Sequence, residues 1–239
     1  MLNHAKGAAP LYSQLETILR EQIESGEYTK GDVFPTEKML MEQYQVSRVT
    51  VRQACAALIN DGYIKSSRGI GTVVIYEKID EHLKRVISFT DEMKQHNITM
   101  KTTYCKMEEV HPPIPASKAL EVPVTDTCYC LTRVRCVGGK PLVYTVTYLK
   151  KVCALPTDSE CYMESLYQYL REEQGITIER GRDTLEAALP TKEVQGFLQI
   201  ESQMPVFKRT RQTFLKDDSV FEYSVCYYPG NRYQYTVDL

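Results

Sequence analysis

Two pairs of arginines carry the most chemical information in this sequence. Arg133 and Arg135 stand two apart in the alternating run Leu131-Thr132-Arg133-Val134-Arg135, so on a strand both side chains leave the same face. Two guanidinium groups on a core-facing side are costly unless an anion or a carboxylate pairs with them. Internal acids such as Glu186 and Glu222 are one source of that charge, and a bound small anion is the other. Ser88 and Thr90 stand at one expected helix start and Ser165 and Tyr167 at another. Helix starts add free backbone amides to such hydroxyls. These groups together could close around one phosphate or carboxylate.

The second pair, Arg48 and Arg52, is spaced by four, which puts both on one face of a helix. Val51, Ala54 and Leu58 face elsewhere, so the helix can dock on its own domain and still enter a DNA major groove. There an arginine can bond guanine O6 and N7 together. Ser47 and Thr50 sit at the helix start, where a recognition helix approaches bases and phosphates. Arg68 precedes Gly69-Ile70-Gly71, a hairpin tip whose glycines allow close approach of backbone to a minor groove. Each feature alone is ordinary, since an exposed arginine is usually just solvated and Gly-x-Gly is usually just a turn. The order and spacing give the set its meaning. Residues 1–75 hold eight bases and eight acids, but four acids lie between residues 16 and 27. From residue 46 to 75, Arg48, Arg52, Lys65 and Arg68 face Asp61 alone. The basic side is the third helix and the hairpin.

The elements that would position these groups are legible from periodicity. Leu11, Leu15, Ile18, Leu19 and Ile23 predict a first helix closed by Gly26. Thr36 caps a second helix with Leu40 and Tyr44 on its apolar face. Ser47 caps a third, Arg48 to Asn60, ended by Gly62. Two β-prone runs around residues 63–74 predict a hairpin. Helix, helix-turn-helix and hairpin make a winged helix-turn-helix over 1–75. The charged stretch 76–85 reads as a linker, and 86–239 as a second domain. Strands are expected near 100–109, 127–137, 142–149, 176–188, 205–216 and 219–228, with helices near 90–96, 115–120, 163–173 and 191–198. This is an antiparallel-sheet α+β domain, so the chain as a whole is α+β. Leu131–Arg135 with its Gly138-Gly139 turn is echoed by Phe207–Arg211 with Asp217-Asp218. The echo suggests a pseudo-symmetric sheet, unless any two amphipathic hairpins would look alike.

The chain has 239 residues, suited to two domains, and a net charge of -2, so nucleic-acid binding has to rest on local charge. No apolar run approaches the ~20 residues of a bilayer span, and the N-terminus has no signal-peptide core. A cytoplasmic protein is expected. The 8 cysteines include no Cys-x-x-Cys, and the 4 histidines have no ligand spacing. Reduced structural thiols, no metal and no cofactor are the expectation. No nucleophile–base pair and no site-forming pair of carboxylates argues for an enzyme.

The motifs Pro10-Leu11-Tyr12-x-Gln14-Leu15, Gly31-Asp32-x-x-Pro35-Thr36-Glu37, Val46-Ser47-Arg48-x-Thr50-Val51-Arg52-x-Ala54, Asp61-Gly62-Tyr63-Ile64 and Gly69-x-Gly71-Thr72 resemble the signature of GntR-type regulators. The resemblance implies a homodimer on a short, near-palindromic double-stranded DNA operator. It also implies contact roles for Lys38, Arg48, Thr50, Arg52 and Gly69. Ile70 departs from the lysine or arginine common between the wing glycines, so either Arg68, two residues before it, substitutes or the wing grips more weakly. Ser88-Phe89-Thr90-x-x-Met93, Leu131-x-Arg133-x-Arg135, Gly139-x-Pro141, Ser165-Leu166-Tyr167, Glu222-Tyr223-Ser224 and Tyr228-x-Gly230-x-Arg232-Tyr233 resemble the effector (UTRA) domain of the HutC subfamily, whose fold is similar to chorismate lyase. That resemblance implies phosphate contacts at Phe89, Thr90, Arg133, Arg135, Ser165 and Tyr167, with Glu222 and Tyr228 near a sugar. Thr145 stands where the family commonly has Glu, which argues for a neutral sugar over an amino sugar. Asn97 replaces a family glycine as a helix cap. The expected function is a repressor of a catabolic operon, released by a small sugar phosphate. A non-phosphorylated organic acid or amino acid as the signal, or a lyase-like activity inferred from fold alone, are the alternatives.

Overall fold

The computed structural model describes residues 2, 3, 5, 7–67, 69–76, 79–82, 88–95 and 98–236. Arg68, Asn97 and part of the stretch 76–85 lie outside the described residues. The chain divides into two units, Met1–Lys78 and Ile79–Leu239.

The first unit is a winged helix-turn-helix. Its helices are α1 (Leu11–Glu24), α2 (Glu37–Tyr44) and α3 (Arg48–Asn60), followed by the hairpin β1 (Ile64–Ser67) and β2 (Gly71–Val74). Leu15, Leu19 and Ile23 of α1 meet Leu40 of α2 and Val51, Ala54 and Leu58 of α3 in one buried core. Thr36 Oγ1 accepts from the Met39 amide at 3.3 Å and Ser47 Oγ from the Thr50 amide at 3.2 Å. Both bonds satisfy donors that a helix start leaves open. Gln45, between α2 and α3, takes φ 52°, a left-handed turn that sets the angle between the two helices. The wing is widened by a third edge, since the Gly31 and Phe34 amides donate to Val74 and Thr72 carbonyls at 2.9 and 2.8 Å.

The second unit holds β3 (Ile79–His82), α4 (Phe89–Gln95), β4 (Met100–Val110), α5 (Ile114–Leu120), β5 (Cys128–Val137), β6 (Lys140–Leu149), a 3-10 turn (Ser159–Tyr162), α6 (Leu166–Glu173), β7 (Arg180–Ala188), α7 (Lys192–Leu198), β8 (Val206–Phe214), β9 (Val220–Pro229) and β10 (Tyr233–Thr236). Six strands form one antiparallel sheet in the order β4-β5-β6-β9-β8-β7. Helices α4 and α6 cover one face, packing on residues such as Val143 and Leu131. Helices α5 and α7 cover the other, packing on Cys128 and Val134.

The linker differs from the sequence reading. Residues 79–82, expected within the linker, form β3, which pairs in parallel with β10 from Tyr233↔Ile79 to Thr236↔His82. Tyr76, at the other end of that stretch, stacks on Tyr63 with ring centroids 4.7 Å apart and packs on the core of the first unit. The charged composition of 76–85 concealed both roles, because the partners lie far away in sequence. The predicted helix at 163–173 begins at Leu166, after a separate 3-10 turn capped by Asp158.

Candidate functional site

The face of the sheet beneath α4 and α6 gathers an unusual charge. Arg133, Arg135, Arg209 and Arg211 all project from it, and all are buried. The register explains why: Arg133 faces Thr145, Thr145 faces Cys226 and Cys226 faces Arg209, so one row crosses four strands. Cross-strand partners share a face, and residues two along share it again.

The sequence-predicted effector residues converge here. Ser88, Phe89, Thr90, Arg133, Arg135 and Thr145 line one cavity. Tyr167, Glu222 and Tyr228 line it too, and its volume is about 40 Å³. Ser165 does not line the cavity; its hydroxyl caps α6 through the Gln168 amide at 3.3 Å and donates to Ser88 Oγ at 3.1 Å. Ser88 Oγ in turn accepts from the Asp91 amide at 3.1 Å. The two capping serines therefore tie the starts of α4 and α6 together over the arginines.

No internal acid bonds to Arg133 or Arg135, although Glu222 is close enough to attract Arg133. Glu186 is exposed on the opposite face of β7 and pairs with Lys208 at 2.9 Å. Glu222 accepts from Tyr167 Oη at 2.7 Å and Thr213 Oγ1 at 3.2 Å. Arg133 Nη1 donates to the carbonyls of Tyr162 and Glu164, both at 3.2 Å, and its Nε has no partner. Arg135 lies over the Phe89 ring at 5.5 Å, its Nε also has no partner, and it forms no hydrogen bond or ion pair among the described residues. Burial pushes the pKa of Arg133 down to about 9, with the like charge of Arg135 adding to it. Burial lowers that of Arg135 as well. An arginine keeps its proton at neutral pH, so both shifts report an uncompensated cation rather than a neutral base.

Sequence reasoning missed Arg209 and Arg211. Arg211 makes two bonds to Asp183, from Nε and Nη2, each 2.7 Å. Arg209 donates to the hydroxyls of Tyr228, at 2.6 Å, and Tyr235. The signal was present in the echo of Leu131–Arg135 by Phe207–Arg211, which repeats the arginine spacing.

In the first unit, Arg48 and Arg52 are exposed on α3, and Lys38 is exposed on α2. Arg48 Nε lies 2.8 Å from one Glu37 oxygen and Arg52 Nε 3.7 Å from the other. Glu37 thus holds both guanidinium groups as a pair on one surface. Ser47 and Thr50 hydroxyls are 2.9 Å apart at the start of α3. Gly69 takes φ 84°, a left-handed conformation that disfavours other residues. Ile70 at the wing tip is exposed.

All eight cysteines are free thiols. Burial raises the pKa of Cys55 to about 11, helped by Glu37, and that of Cys128 to about 11, helped by Cys130. A raised pKa depletes the reactive thiolate at pH 8. Cys55 and Cys128 should therefore alkylate slowly with iodoacetamide in the native protein, and the denatured, unreduced protein should take up eight labels by mass. A shortfall of two labels would reveal a bridge. Among the described residues there is no cluster of three or more His, Cys, Asp or Glu that could hold a metal, and no helix long and apolar enough to cross a membrane.

Comparison with known proteins agrees with this division. Residues 11–74 match the family described as bacterial regulatory proteins, gntR family, and residues 95–234 match the UTRA domain. The chain is 28% identical over 231 residues to the mannosyl-D-glycerate transport/metabolism system repressor MngR of Escherichia coli, covering 97% of this chain and 96% of that one. It is 28% identical to the HTH-type transcriptional repressor NagR of Bacillus subtilis, covering 95% and 93%. The crystal structure of PhnF from Mycobacterium smegmatis superposes with a TM-score of 0.63 at 27% identity, covering 96% of this chain and 99% of that chain.

Proposed function

This chain belongs to the gntR family of bacterial regulatory proteins, in its HutC form, as a ligand-responsive transcriptional repressor, and from that premise we propose that its signal is a small phosphorylated sugar. The observation that carries the proposal is the pair of buried, uncompensated guanidinium groups of Arg133 and Arg135. A phosphate dianion matches that charge and accepts several donors at once. Ser88, Phe89, Thr90 and Tyr167 surround the anion in this reading, with Ser165 behind Ser88 and holding it in place, while Glu222 and Tyr228 meet sugar hydroxyls. Thr145 offers no carboxylate to an amine, which favours a neutral sugar. A sugar acid is the second reading: a carboxylate also pairs with arginine, and the relative MngR is named for mannosyl-D-glycerate.

On the DNA side, we assign Lys38, Ser47, Arg48, Thr50, Arg52, Gly69 and the undescribed Arg68 to the operator contact of a cytoplasmic homodimer. Arg52 and Arg48 would exchange Glu37 for base edges or phosphates. Operator affinity is expected to fall steeply with salt. Arg52→Ala should cost about 1–3 kcal/mol on the specific site if it reads a base.

The test pairs calorimetry with operator-binding anisotropy on the full chain, using phosphorylated and unphosphorylated forms of the same sugars. A phosphorylated form that binds and weakens operator affinity is the expected result. Binding that is indifferent to the phosphate would sink the anion assignment, and equal affinity for operator and random DNA would sink the specific-site assignment. An amino-sugar phosphate preferred over its neutral counterpart would remove only the reading of Thr145.

A further inference from the structure

The effector sheet is two copies of one three-strand unit. In each copy a helix precedes the first strand, another joins the first strand to the second, and a hairpin joins the second to the third. The first copy is α4, β4, α5, β5 and β6; the second is α6, β7, α7, β8 and β9. The copies meet where β6 pairs with β9, at Thr145↔Cys226. Stepping outward from that pair, Thr145 faces Arg133 and Cys226 faces Arg209. Arg135 and Arg211 each follow two residues later, and the capping serines of α4 and α6 touch at 3.1 Å above. The two arginine pairs therefore occupy equivalent places.

The equivalence breaks at one position on each outer strand. On β7 the register partner of Arg211 is Asp183, which binds it through two bonds of 2.7 Å. On β4 the register partner of Arg135 is Thr102. Thr102 is buried, brings no charge, and spends its hydroxyl on the Met163 carbonyl at 2.6 Å. One cradle is thus closed by a carboxylate of the chain itself, while the matching carboxylate is missing from the other. Glu222 stands between the two cradles, bonded to Tyr167 and Thr213 and close enough to attract Arg133. A second anionic group placed at Arg211 would meet Asp183.

We infer that Thr102 and Asp183 set the charge pattern of the ligand. Thr102 leaves the Arg133/Arg135 cradle open to one anionic group, and Asp183 closes its twin, so the ligand carries a single anion and a neutral, hydroxyl-bearing remainder. The inference rests on the anion reading above and goes further, because it excludes bisphosphates and phosphorylated sugar acids as preferred ligands. Neither Thr102 nor Asp183 touches the ligand in this scheme; each acts through the arginine it faces.

The test uses the full chain with inorganic phosphate as probe, read by thermal-shift titration and by calorimetric stoichiometry. Wild type should bind one phosphate per chain. Thr102→Asp should weaken phosphate binding by about tenfold or more, because the new carboxylate occupies Arg135, whereas the nearly isosteric Thr102→Asn should stay within roughly threefold of wild type. Asp183→Asn should gain a second phosphate at Arg211. Should Thr102→Asp fold poorly, the Asp183→Asn stoichiometry decides alone. Equal loss in the Asp and Asn variants would mean that Thr102 acts by shape, and that result, or a single phosphate in Asp183→Asn, overturns the inference while the anion site stands. Absence of any phosphate-dependent shift in wild type would instead remove the anion reading itself, and this inference with it.

Discussion

Arg135→Met is expected to raise the melting temperature of the ligand-free protein and, in the same variant, to weaken its affinity for anions. The side chain is 4% exposed and finds no acceptor among the described residues. Its neighbour Arg133 carries the same sign, and the Phe89 ring at 5.5 Å offsets only part of the cost of a desolvated cation. Methionine fills similar space without charge. Replacing buried ionic groups by apolar ones of similar volume is often neutral or stabilising by about 1–4 kcal/mol. For a chain of this size each kcal/mol moves Tm by about 2–4 °C, so differential scanning calorimetry should resolve the gain. Anion affinity should drop by about ten- to hundredfold, the worth of one buried charge-assisted contact. The neighbouring arginines make the controls. Arg133→Met strands the carbonyls of Tyr162 and Glu164, which Nη1 now satisfies, so it should gain less or lose stability. Arg211→Met leaves the Asp183 carboxylate buried without its partner and should lose about 3–5 kcal/mol. Stability that follows the order Arg135→Met, Arg133→Met, Arg211→Met, highest first, supports a site strained for its ligand. If Arg135→Met is as destabilising as Arg211→Met, its guanidinium is internally compensated and the anion site is misassigned.

Local chemistry made most of this legible in the sequence. The third helix runs from Arg48 to Asn60 as its serine cap and glycine stop predict, because capping and periodicity are properties of neighbouring residues. The outward spacing of Arg48 and Arg52 and the shared face of Arg133 and Arg135 follow from helix and strand geometry alone. What stayed hidden depends on register between distant segments. Ile79–His82 reads as solvated linker until Tyr233–Thr236 is set beside it. Asp183 is an unremarkable acid until β7 pairs with β8 and puts it opposite Arg211. Glu37 looked like one more charge of the second helix, yet it binds both arginines of the third. The echo between the two hairpins was visible, but only the order of the strands turned a repeated Arg-x-Arg into two halves of one site.

Tyr235→Phe should leave effector binding nearly intact while uncoupling it from DNA release. Free space in the cavity is about 40 Å³, small beside the usual few hundred Å³ of a ligand pocket, so under the proposed reading a wall of the site is expected to move when a sugar phosphate binds. The aromatic wall reaches the segment that leads from the first unit through strand pairing. Tyr228 lines the cavity and stacks on Tyr233 with centroids 3.9 Å apart, and Arg209 donates to the hydroxyls of both Tyr228 and Tyr235. Tyr233 and Tyr235 belong to β10, whose parallel partner is β3, and β3 begins directly after the last residue of the DNA-binding unit. A ligand that shifts Tyr228 or Arg209 therefore pulls on β10 and, through the shared ladder, on the segment that leads into the helix-turn-helix. Coupling requires that the ligand favour one arrangement of this strand pair over another. Allosteric coupling factors typically run about 5–150-fold. Removing the Tyr235 hydroxyl cuts its hydrogen bond from Arg209 and keeps the ring stacked on Phe207, whose centroid lies 4.9 Å away. Effector affinity measured by calorimetry should change by less than about threefold, since the group removed lies behind Arg209 rather than at the Arg133/Arg135 anion site. The ratio of operator affinities with and without effector, measured by fluorescence anisotropy, should fall toward one. A variant that binds effector normally and still releases DNA with the wild-type ratio would show that the signal leaves the pocket by another route.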